Sequence, residues 1–464
     1  MEAVRVGIVS LGCAKNLVDS EVMAGLLAEA GFLLTGDSRQ AQVLIVNTCG
    51  FIEPAQRESV QAILELARLK EEGQLQRLVV AGCLPRRFDG EEVARRLPEA
   101  DAVIGTAEIP LVASVVRRVL AGERVVMTEP SPSFLYHDRL PRLVSTPRPM
   151  AYVKVSEGCS HPCSFCTIPR IRGPYRSRPM ESIEQEVRRL VDAGVREVVL
   201  IGQDTSMYGA DLYGRLALAD LLRRLDRTGI RWIRLLYAYP AHVTPELLDT
   251  MAELSSVCPY LDIPLQHASD RILQAMRRWG SRARYEQLIQ AIRARMPDVA
   301  LRSTFIVGFP GEREQDVQEL LDFLSEVRFD YVGVFEYARE SGTPAAELGE
   351  PVSAKERRRR RRAVLRHQQQ LLASILRRRL GSSCPAVLER PWGSRPGHWI
   401  GRTPYQAPEV DGITRIRGVE GGPGDFVQVR LAGVRGYDYL ATAEPPAGSP
   451  GPGGVVWERD GAVV

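Results

Sequence analysis

The 464-residue sequence predicts a multidomain α/β protein with two parallel-sheet domains followed by a small antiparallel β-barrel. Two observations support this fold class. Apolar, β-rich runs alternate with amphipathic helical stretches up to about residue 350, and short β-type runs between Gly and Pro turns follow them. The predicted parts are an N-terminal α/β domain (1–129), a Pro-punctuated linker (130–150) and an incomplete (β/α)6 barrel (151–350). A basic connecting helix (351–380), the β-barrel (381–445) and a Pro/Gly-rich disordered tail (446–464) follow.

Three strand candidates in the first domain are each followed closely by a cysteine, and helical stretches separate them. The strands are Val4–Ser10, Val43–Asn47 and Leu78–Ala81, and the helices are Ser20–Ala30, Pro54–Lys70 and Glu91–Leu97. Because this alternation implies a parallel sheet, we expect Cys13, Cys49 and Cys83 (the N-terminal trio) together at its carboxyl edge, where such sheets bind ligands. A glycine beside each thiol would let the backbone approach a bulky inorganic group. A metal cluster is therefore favoured over three buried core cysteines.

Six strand candidates alternate with helices after the linker, which fits an incomplete barrel with its chemistry on the loops after the strands. The strands are Ala151–Ser156, Glu197–Gly202, Trp232–Leu236, Tyr260–Pro264, Ala300–Val307 and Tyr331–Glu336. The helical stretches between them are Ser182–Ala193, Leu216–Thr228, Pro245–Ser255, Asp270–Met296 with an interruption at Gly280, and Glu314–Val327.

Cys159, Cys163 and Cys166 (the barrel trio) follow the first of these strands with the spacing Cys-x3-Cys-x2-Cys. Three thiolates so close together can hold three irons of a 4Fe-4S cluster and leave the fourth iron open. An open iron can chelate S-adenosylmethionine (SAM) and deliver the electron that cleaves it. Structural zinc usually takes four ligands, and no further Cys or His follows Cys166 at a suitable distance. His161, beside Pro162, would have to bend back sharply, so we expect an iron–sulfur cluster.

The end of the chain combines a basic helix with a neutral β-barrel. Ser353 is predicted to cap a helix from Ala354 to about Leu380 that carries the run Arg357–Arg362. This run fits a solvated face and contact with a polyanion such as ribosomal RNA equally well. The β-type runs that follow are Pro385–Leu388, Thr414–Arg417, Phe426–Leu431 and Tyr439–Thr442. Between residues 381 and 444, seven Arg balance seven Asp and Glu, which suits a protein substrate better than nucleic-acid phosphates.

Composition and charge fit a soluble intracellular enzyme. Charged residues make up 25% of the chain, no apolar run reaches transmembrane length, and the start of the chain leads into a strand without a signal-peptide segment. The net charge of +4 is too small to indicate nucleic-acid binding by itself. Because thiolates that bind iron need a reducing compartment, a cytoplasmic location is expected. Cys258 and Cys384 belong to neither trio and are expected to be ordinary buried thiols.

Several segments carry a resemblance to a known family. Residues 157–169, with Phe165 before the last cysteine, resemble the radical-SAM signature. The order of a cysteine-bearing α/β domain, this barrel and a TRAM-like β-barrel resembles the methylthiotransferase family over nearly the whole chain. Residues 11–21 and 260–269 resemble the RimO-type branch, which modifies an aspartate of small-subunit ribosomal protein twelve. The tRNA-modifying branch typically has Gln-Met-Asn after the first cysteine, where this chain has Ala-Lys-Asn.

The resemblance implies two 4Fe-4S clusters and SAM as cofactors, with no catalytic residue beyond the cluster ligands. The barrel trio would ligate the cluster that cleaves SAM to a deoxyadenosyl radical, which abstracts hydrogen from the β-carbon of the target aspartate. The N-terminal trio would ligate an auxiliary cluster that holds the sulfur for transfer, and a second SAM would supply the methyl group. The implied partners are the ribosomal protein, nearby ribosomal RNA, and an electron donor such as flavodoxin or ferredoxin, without a membrane.

Further candidate site residues lie at strand ends and on charged loops. The SAM candidates are Gly202, Gln203 and Asp204 for the methionine part, Gln266 and Ser303 near the fourth and fifth strands, and Gly308 and Gly311 in a turn that resembles the family's adenine side. Arginines after the barrel trio would steer an acidic target side chain, and acidic residues in the β-barrel would meet a basic protein. These substrate candidates are Arg170, Arg172 and Arg176, and Glu409 and Asp411.

Two alternative functions remain open from the sequence. The chain could be a tRNA methylthiotransferase acting on isopentenyladenosine near the anticodon, which activity on that tRNA would reveal. It could also be a non-catalytic iron–sulfur scaffold, which would not cleave SAM on reduction.

Overall fold

The computed structural model describes residues 3–129, 132–147, 149–349 and 352–444, so the predicted tail lies outside the described residues. The chain forms two compact units that divide between Leu371 and Leu372. Among the described residues, no helix combines the length and apolar character needed to cross a membrane.

The first unit begins with a six-stranded parallel sheet whose Val- and Ile-rich strands are buried by helices on both faces. Its elements are β1 Arg5–Ser10, α1 Ala14–Glu29, β2 Leu33–Leu34, β3 Val43–Thr48, α2 Glu53–Glu71, β4 Arg77–Gly82, α3 Cys83–Phe88, α4 Gly90–Arg96, β5 Ala102–Ile104, α5 Val112–Leu120 and β6 Val125–Met127. The strand order is β2-β1-β3-β4-β5-β6, which places the three predicted strands side by side.

The second sheet of this unit has six parallel strands in chain order, the arrangement of an incomplete barrel. Its elements are β7 Met150–Lys154, β8 Ser156–Glu157, α6 Ile168–Arg172, β9 Arg176–Ser177, α7 Met180–Asp192, β10 Glu197–Ile201, α8 Leu218–Asp226, β11 Trp232–Leu235, α9 Pro245–Glu253, β12 Val257–Asp262, α10 Asp270–Ala275, α11 Arg282–Arg295, β13 Ala300–Val307, α12 Glu314–Val327 and β14 Tyr331–Glu336. Strands β8 and β9 form a separate antiparallel ribbon next to the barrel trio.

The linker predicted between the two sheets is tied to both. Its described part, residues 132–147, contains no helix or strand. The guanidinium of Arg142 pairs with Glu21 of α1 and with Glu186 of α7, at 2.6 Å in each case. All three side chains are buried. Residues 132–147, here named the Arg142 strap, therefore join the two sheets through charge as well as through the backbone.

Helix α13 (Ala354–Arg377) begins at the predicted residue, and its arginine run is bonded largely to the protein itself. Arg360 pairs with Glu312 and Glu356 at 2.8 Å, and Arg361 donates to the carbonyl of Val334. These contacts lie within the first unit and show how part of the run is held.

The second unit contains a closed five-stranded barrel in the order β15-β16-β17-β19-β18. Its strands are β15 Ser383–Pro391, β16 His398–Arg402, β17 Thr414–Arg417, β18 Phe426–Arg435 and β19 Asp438–Ala443. Four pairings are antiparallel, but β17 and β19 pair in parallel, so the barrel is mixed rather than purely antiparallel as the sequence suggested. Trp399, Ile416 and Tyr439 lie in its core.

Candidate active site

The N-terminal trio lies at the carboxyl edge of the first sheet, as predicted. Cys13 precedes α1, Cys49 directly follows β3, and Cys83 begins α3 directly after β4. All three are free thiols. Gly12 has a φ of +91°, and a Cβ there would lie 2.8 Å from the Cβ of Cys49 and 3.1 Å from its sulfur. The first loop can therefore pass this close to Cys49 only with glycine at position 12.

Polar side chains fix the loops that carry these thiols. The amide of Asn16 donates to the carbonyls of Leu11 and Asn47, and the amide of Asn47 donates back to the carbonyl of Asn16 at 2.8 Å. The hydroxyl of Ser59 both accepts from the amide of Cys49 and donates to its carbonyl, at 3.0 Å. The thiol positions are therefore set before any ligand binds.

The barrel trio occupies the loop between β8 and α6. The amide of Cys159 donates to the carbonyl of Gly173, and the amide of Cys166 donates to the carbonyl of Cys163, which closes a turn. Ser164 anchors the loop to the end of α10 through its hydroxyl, which donates to the carbonyl of Ala275 at 2.8 Å. Burial raises the pKa of Cys159 to about 11 and that of Cys166 to about 12. Binding of a metal would displace these protons.

Asp204, proposed from the sequence as a SAM contact, instead supports the cluster loop. Its Oδ2 lies 2.7 Å from Nε2 of His161 and 2.9 Å from Nδ1 of His242, and its Oδ1 accepts from the hydroxyl of Ser206. Burial raises the pKa of this carboxyl, but the bonds from both histidines and Ser206 outweigh burial and hold the pKa well below its usual range. The ring of His161 also stacks on Tyr239 at 3.7 Å. Both oxygens of Asp204 are engaged, so they are not free for a methionine amino group.

Three contacts join the two thiol sites. Nζ of Lys15 lies 3.3 Å from the carbonyl oxygen of Gly202, and the hydroxyl of Thr167 donates to the carbonyl of Phe51. Nη2 of Arg172 lies 3.3 Å from the sulfur of Cys83. The N-terminal trio and the barrel trio therefore face each other across one seam, here named the cluster seam, defined by these three contacts.

Arg172 lies inside this seam rather than on a surface that receives substrate. Its side chain is only 3% exposed and pairs with Asp19 at 2.9 Å and with Glu157 at 3.2 Å. These partners leave Arg172 no room to steer an acidic target side chain, which corrects the sequence-based expectation. Burial raises the pKa of Cys83, and the charge of Arg172 acts in the opposite direction. For Cys13, burial also raises the pKa, but Lys15 and Arg172 outweigh it, and the pKa is lowered.

The other predicted SAM residues lie along the barrel rim. A Cβ on Gly202 would approach Oγ of Ser156 to 2.5 Å. Gln203 donates to Glu157, while its own Oε1 is buried without a partner among the described residues. Gln266 has a φ of +75°, a strained conformation for a residue other than glycine. The unpaired oxygen of Gln203 and the strained backbone of Gln266 lie on the same rim, and both features fit a binding site for a polar ligand.

Three further SAM candidates have structural contacts of their own. The hydroxyl of Ser303 donates to the carbonyl of Ile263 at 2.9 Å, so it links β13 to the residue that follows β12. Gly308 and Gly311 have φ values of +77° and +78°, and the amide of Gly308 donates to Glu312. A Cβ on Gly308 would meet the side chain of Arg357, so this turn packs against α13.

The remaining substrate candidates are held in place by backbone groups. Arg170 donates to the carbonyl of Gly342 at 3.0 Å, and Arg176 donates to the carbonyl of Pro132. In the second unit, Asp411 accepts from the amide of Ala407 at 2.8 Å, and Glu409 has a φ of +67°. Their roles toward a substrate stay predictions.

The donor sets fit the groups that the sequence implied. Each trio offers three thiols on short loops, which is the protein contribution to a 4Fe-4S cluster with one open iron. Arg278 lies 3.6 Å from the sulfur of Cys163 and stacks over Tyr239 at 4.1 Å, so a cation also flanks the barrel trio.

Sequence reasoning missed several residues that shape this site. Tyr237, Tyr239 and His242 follow a predicted strand, and Arg278 lies within the predicted helical stretch Asp270–Met296, but none belongs to a spaced motif. Tyr237 directly follows a predicted strand, and this position was the available signal for it. Its φ of +62°, however, could be seen only in the structure.

Comparison with known proteins agrees with this geometry. Family models match the chain as Uncharacterized protein family UPF0004 at 5–105, Radical SAM superfamily at 153–324 and TRAM domain at 380–443. A protein of Heliobacterium modesticaldum, named ribosomal protein uS12 methylthiotransferase RimO, is 48% identical over 95% of each chain. A protein of the same name from Symbiobacterium thermophilum is 47% identical over 96% of this chain and 92% of its own. The chain belongs to the RimO methylthiotransferase family.

Solved structures give the same fold at much lower sequence identity. The radical S-adenosylmethionine methyltransferase TsrM from Kitasatospora setae, with cobalamin and a 4Fe-4S cluster bound, matches with a TM-score of 0.54 and 15% identity over 74% of each chain. TsrM with tryptophan and a SAM analogue matches with a TM-score of 0.55 and 14% identity, over 74% of this chain and 75% of its own. At such identities the likeness establishes the fold of the RimO-family chain and nothing further.

Proposed function

We propose that this RimO-family chain transfers a methylthio group to the β-carbon of an aspartate in small-subunit ribosomal protein uS12. One observation carries the proposal: the N-terminal trio and the barrel trio face each other across the cluster seam within one compact unit. The names of the relatives support uS12 as the substrate. When bound, the two clusters and SAM would supply radical, sulfur and methyl chemistry.

The chain itself contributes binding, orientation and exclusion of water. Asp204 and Ser164 hold the loop of the barrel trio, while Asn16 and Ser59 hold the loops of the N-terminal trio. Gln203, with its unpaired Oε1, is proposed to contact SAM together with the neighbouring rim. Such fixed placement converts an encounter of three reactants into reaction at one site.

The partners follow from the same proposal. Because the second unit matches the TRAM domain, it is proposed to help hold uS12, with ribosomal RNA nearby. A flavodoxin or ferredoxin is proposed as the electron donor, and the cytoplasm as the location, because the thiols require reducing conditions.

Mass spectrometry of uS12 tests the function. We expect the methylthio mass increment on one aspartate of uS12 in wild-type cells, and its loss in cells that lack this chain. The purified, reconstituted chain should restore the modification on uS12 added from the deletion cells. Modification of tRNA with no change in uS12 would favour the tRNA alternative, and absence of SAM cleavage would favour the scaffold alternative.

A further inference from the structure

Lys15 is a buried cation at the cluster seam whose role the mechanism above leaves open. It lies two residues after Cys13, in the first turn of α1, and is 9% exposed. Its side chain extends from α1 to the barrel rim, where Nζ lies 3.3 Å from the carbonyl oxygen of Gly202 and 3.6 Å from the ring centroid of Tyr237. The backbone of Lys15 thus lies beside the N-terminal trio, and its charge lies beside the barrel rim that carries the predicted SAM residues.

The contacts of this ammonium include no carboxylate. An ammonium has three N–H donors, and here one faces a single carbonyl while another faces an aromatic ring. In the described part of the chain, no carboxylate oxygen of Asp or Glu lies within 4.0 Å of Nζ of Lys15, the limit for an ion pair. The thiol of Cys13 lies two residues away, and a bound metal would take up the charge of its thiolate. A buried cation left in this state is costly unless a ligand brings an anion to it.

The other buried cations at the seam differ from Lys15 in this respect. Lys154 pairs with Asp19 at 2.5 Å and with Glu157 at 2.7 Å. Arg172 pairs with the same two carboxylates. Because these charges are neutralised within the protein, Lys15 and Arg278 are the cations named at the two trios that have no carboxylate partner, and Lys15 is the one beside Cys13.

We propose that the Lys15 ammonium binds the carboxylate of the substrate aspartate and thereby selects an acidic side chain for modification. The inference rests on the proposed function, since it concerns the substrate of the same site. A side chain held by Lys15 lies next to Cys13 on one side and the rim at Gly202 on the other. The reacting carbon, one bond from that carboxylate, would then lie between the two trios.

SAM also carries a carboxylate, and the position of Lys15 argues for the substrate instead. Lys15 belongs to the N-terminal domain and follows Cys13, whereas SAM is expected at the open iron of the barrel trio. Arg278, which touches the sulfur of Cys163, is a cation on the barrel trio itself. The two carboxylates can be separated by measuring each affinity independently.

Binding to the reconstituted holoenzyme, without reductant, tests this role. The probes are purified uS12 and uS12 with its target aspartate replaced by asparagine, tested on the wild type, Lys15→Met, Lys15→Arg and Lys70→Gln. Lys70 is the matched control, since it pairs with Asp101 near the starts of β4 and β5, at the opposite edge of the same sheet. Iron content and the dissociation constant for SAM are measured for every variant. If Lys15→Met loads less iron than the wild type, Lys15→Gln takes its place.

We expect the wild type and Lys70→Gln to bind the aspartate form about tenfold or more tightly than the asparagine form, as for a charge-assisted hydrogen bond. Lys15→Met should lose this preference, and Lys15→Arg should keep part of it. A merely structural role would weaken both forms of uS12 equally. The proposal is overturned if Lys15→Met keeps the preference, or if it loses affinity for SAM while the preference stays intact. Wild type that modifies uS12 without preferring aspartate overturns the role of Lys15 alone, whereas failure to bind or modify uS12 overturns the function with it.

Discussion

The guanidinium of Arg172 donates a hydrogen bond to the thiol of Cys83, with 3.3 Å between Nη2 and Sγ. Arg172 lies in α6, which follows the barrel trio, and Cys83 belongs to the N-terminal trio. One arginine therefore connects a ligand loop of one cluster to the helix that ends the ligand loop of the other. Because it also pairs with Asp19 and Glu157, its position is fixed from both domains.

Arg172→Lys is expected to weaken this connection, because an ammonium cannot reproduce the planar fork that reaches a thiol and two carboxylates together. We expect the free energy of unfolding to fall by about 1–3 kcal/mol, and iron to be lost faster from the N-terminal trio. Chemical unfolding and the rate of iron release to a chelator measure these effects. Arg188→Lys, which changes an exposed arginine paired with Glu184, serves as the control and should change stability by about 1 kcal/mol or less. Equal iron release from both variants would contradict the role of Arg172.

Replacing Cys159, Cys163 and Cys166 together by Ala should remove one of two clusters. Anaerobically reconstituted wild type should hold about eight irons, four per cluster. The triple variant should hold about half of that iron and lose reductive cleavage of SAM to deoxyadenosine. Iron analysis and chromatography of the nucleoside measure both results. Cys258→Ala, which changes a buried thiol outside both trios, should retain the full iron content. Continued SAM cleavage by the triple variant would refute the assignment of the barrel trio.

Replacing Cys13, Cys49 and Cys83 together by Ala should separate the two halves of the reaction. The barrel trio is intact in this variant, so SAM cleavage should continue, while methylthio transfer to uS12 should stop. Parallel assays of deoxyadenosine and of modified uS12 measure the two outcomes. If the variant keeps the iron content of the wild type, the N-terminal thiols are core residues and not ligands.

Glu186 should make stability depend on pH in the acid range. It is buried between Arg178 and Arg142, and although burial raises its pKa, the two arginines outweigh burial and lower that pKa. Its stabilisation is therefore full above the unfolded-state pKa of about 4.3 and is lost as pH falls through the lower folded-state value. Glu186→Gln should lower the free energy of unfolding by about 3 kcal/mol at neutral pH, and the difference from wild type should narrow below about pH 4.

Urea unfolding followed by circular dichroism at several pH values measures this dependence. Glu181→Gln on the same helix provides the control, because its pair with Arg224 is largely exposed and should contribute about 1 kcal/mol or less. A difference between wild type and Glu186→Gln that is constant down to the acid limit would contradict the lowered pKa.

Deletion of the chain from Gly381 onward should abolish modification of uS12 while leaving uncoupled SAM cleavage measurable. The reason is that the barrel of the second unit is proposed to hold the substrate, whereas both trios belong to the first unit. In the full chain, charge reversal at Glu409 and Asp411 should weaken binding of uS12, and raised salt should weaken the wild-type complex. Binding that is insensitive to salt and to both reversals would place uS12 recognition elsewhere.

The sequence predicted strands well where apolar β-branched runs are buried on both faces. Ala300–Val307 and Tyr331–Glu336 have the predicted bounds. The start of α1 was missed, since it begins at Ala14 and not at Ser20. Its first turns carry Lys15, Asn16 and Asp19, which are polar but buried against the barrel and the neighbouring loops. Hydrophobic periodicity assigns polar residues to the solvent-exposed face of a helix. It therefore cannot detect a helix whose polar face is buried against other charged groups.

The positions of the thiols were predictable, because the barrel trio is closely spaced along the sequence and each thiol of the N-terminal trio follows a strand, whereas the side chains that support these loops were not. Asp204, His161 and His242 come from three separate loops, and the sequence does not show that they meet. The pairing of Arg172 with Asp19 likewise depends on how two domains pack. Strand β16 was also missed, because its pattern is interrupted by Gly401 and flanked by turn residues.

The Arg142 strap has a consequence for how the reaction proceeds in time. Because one buried arginine of this segment pairs with a carboxylate of each domain, the segment does not act as a free hinge, and we expect the two thiol sites to keep a fixed separation. Sulfur therefore does not travel on a swinging domain, as it does in enzymes with mobile carrier arms. The ribosomal protein is then the component that has to move, and we expect its target side chain to enter a gap of constant width.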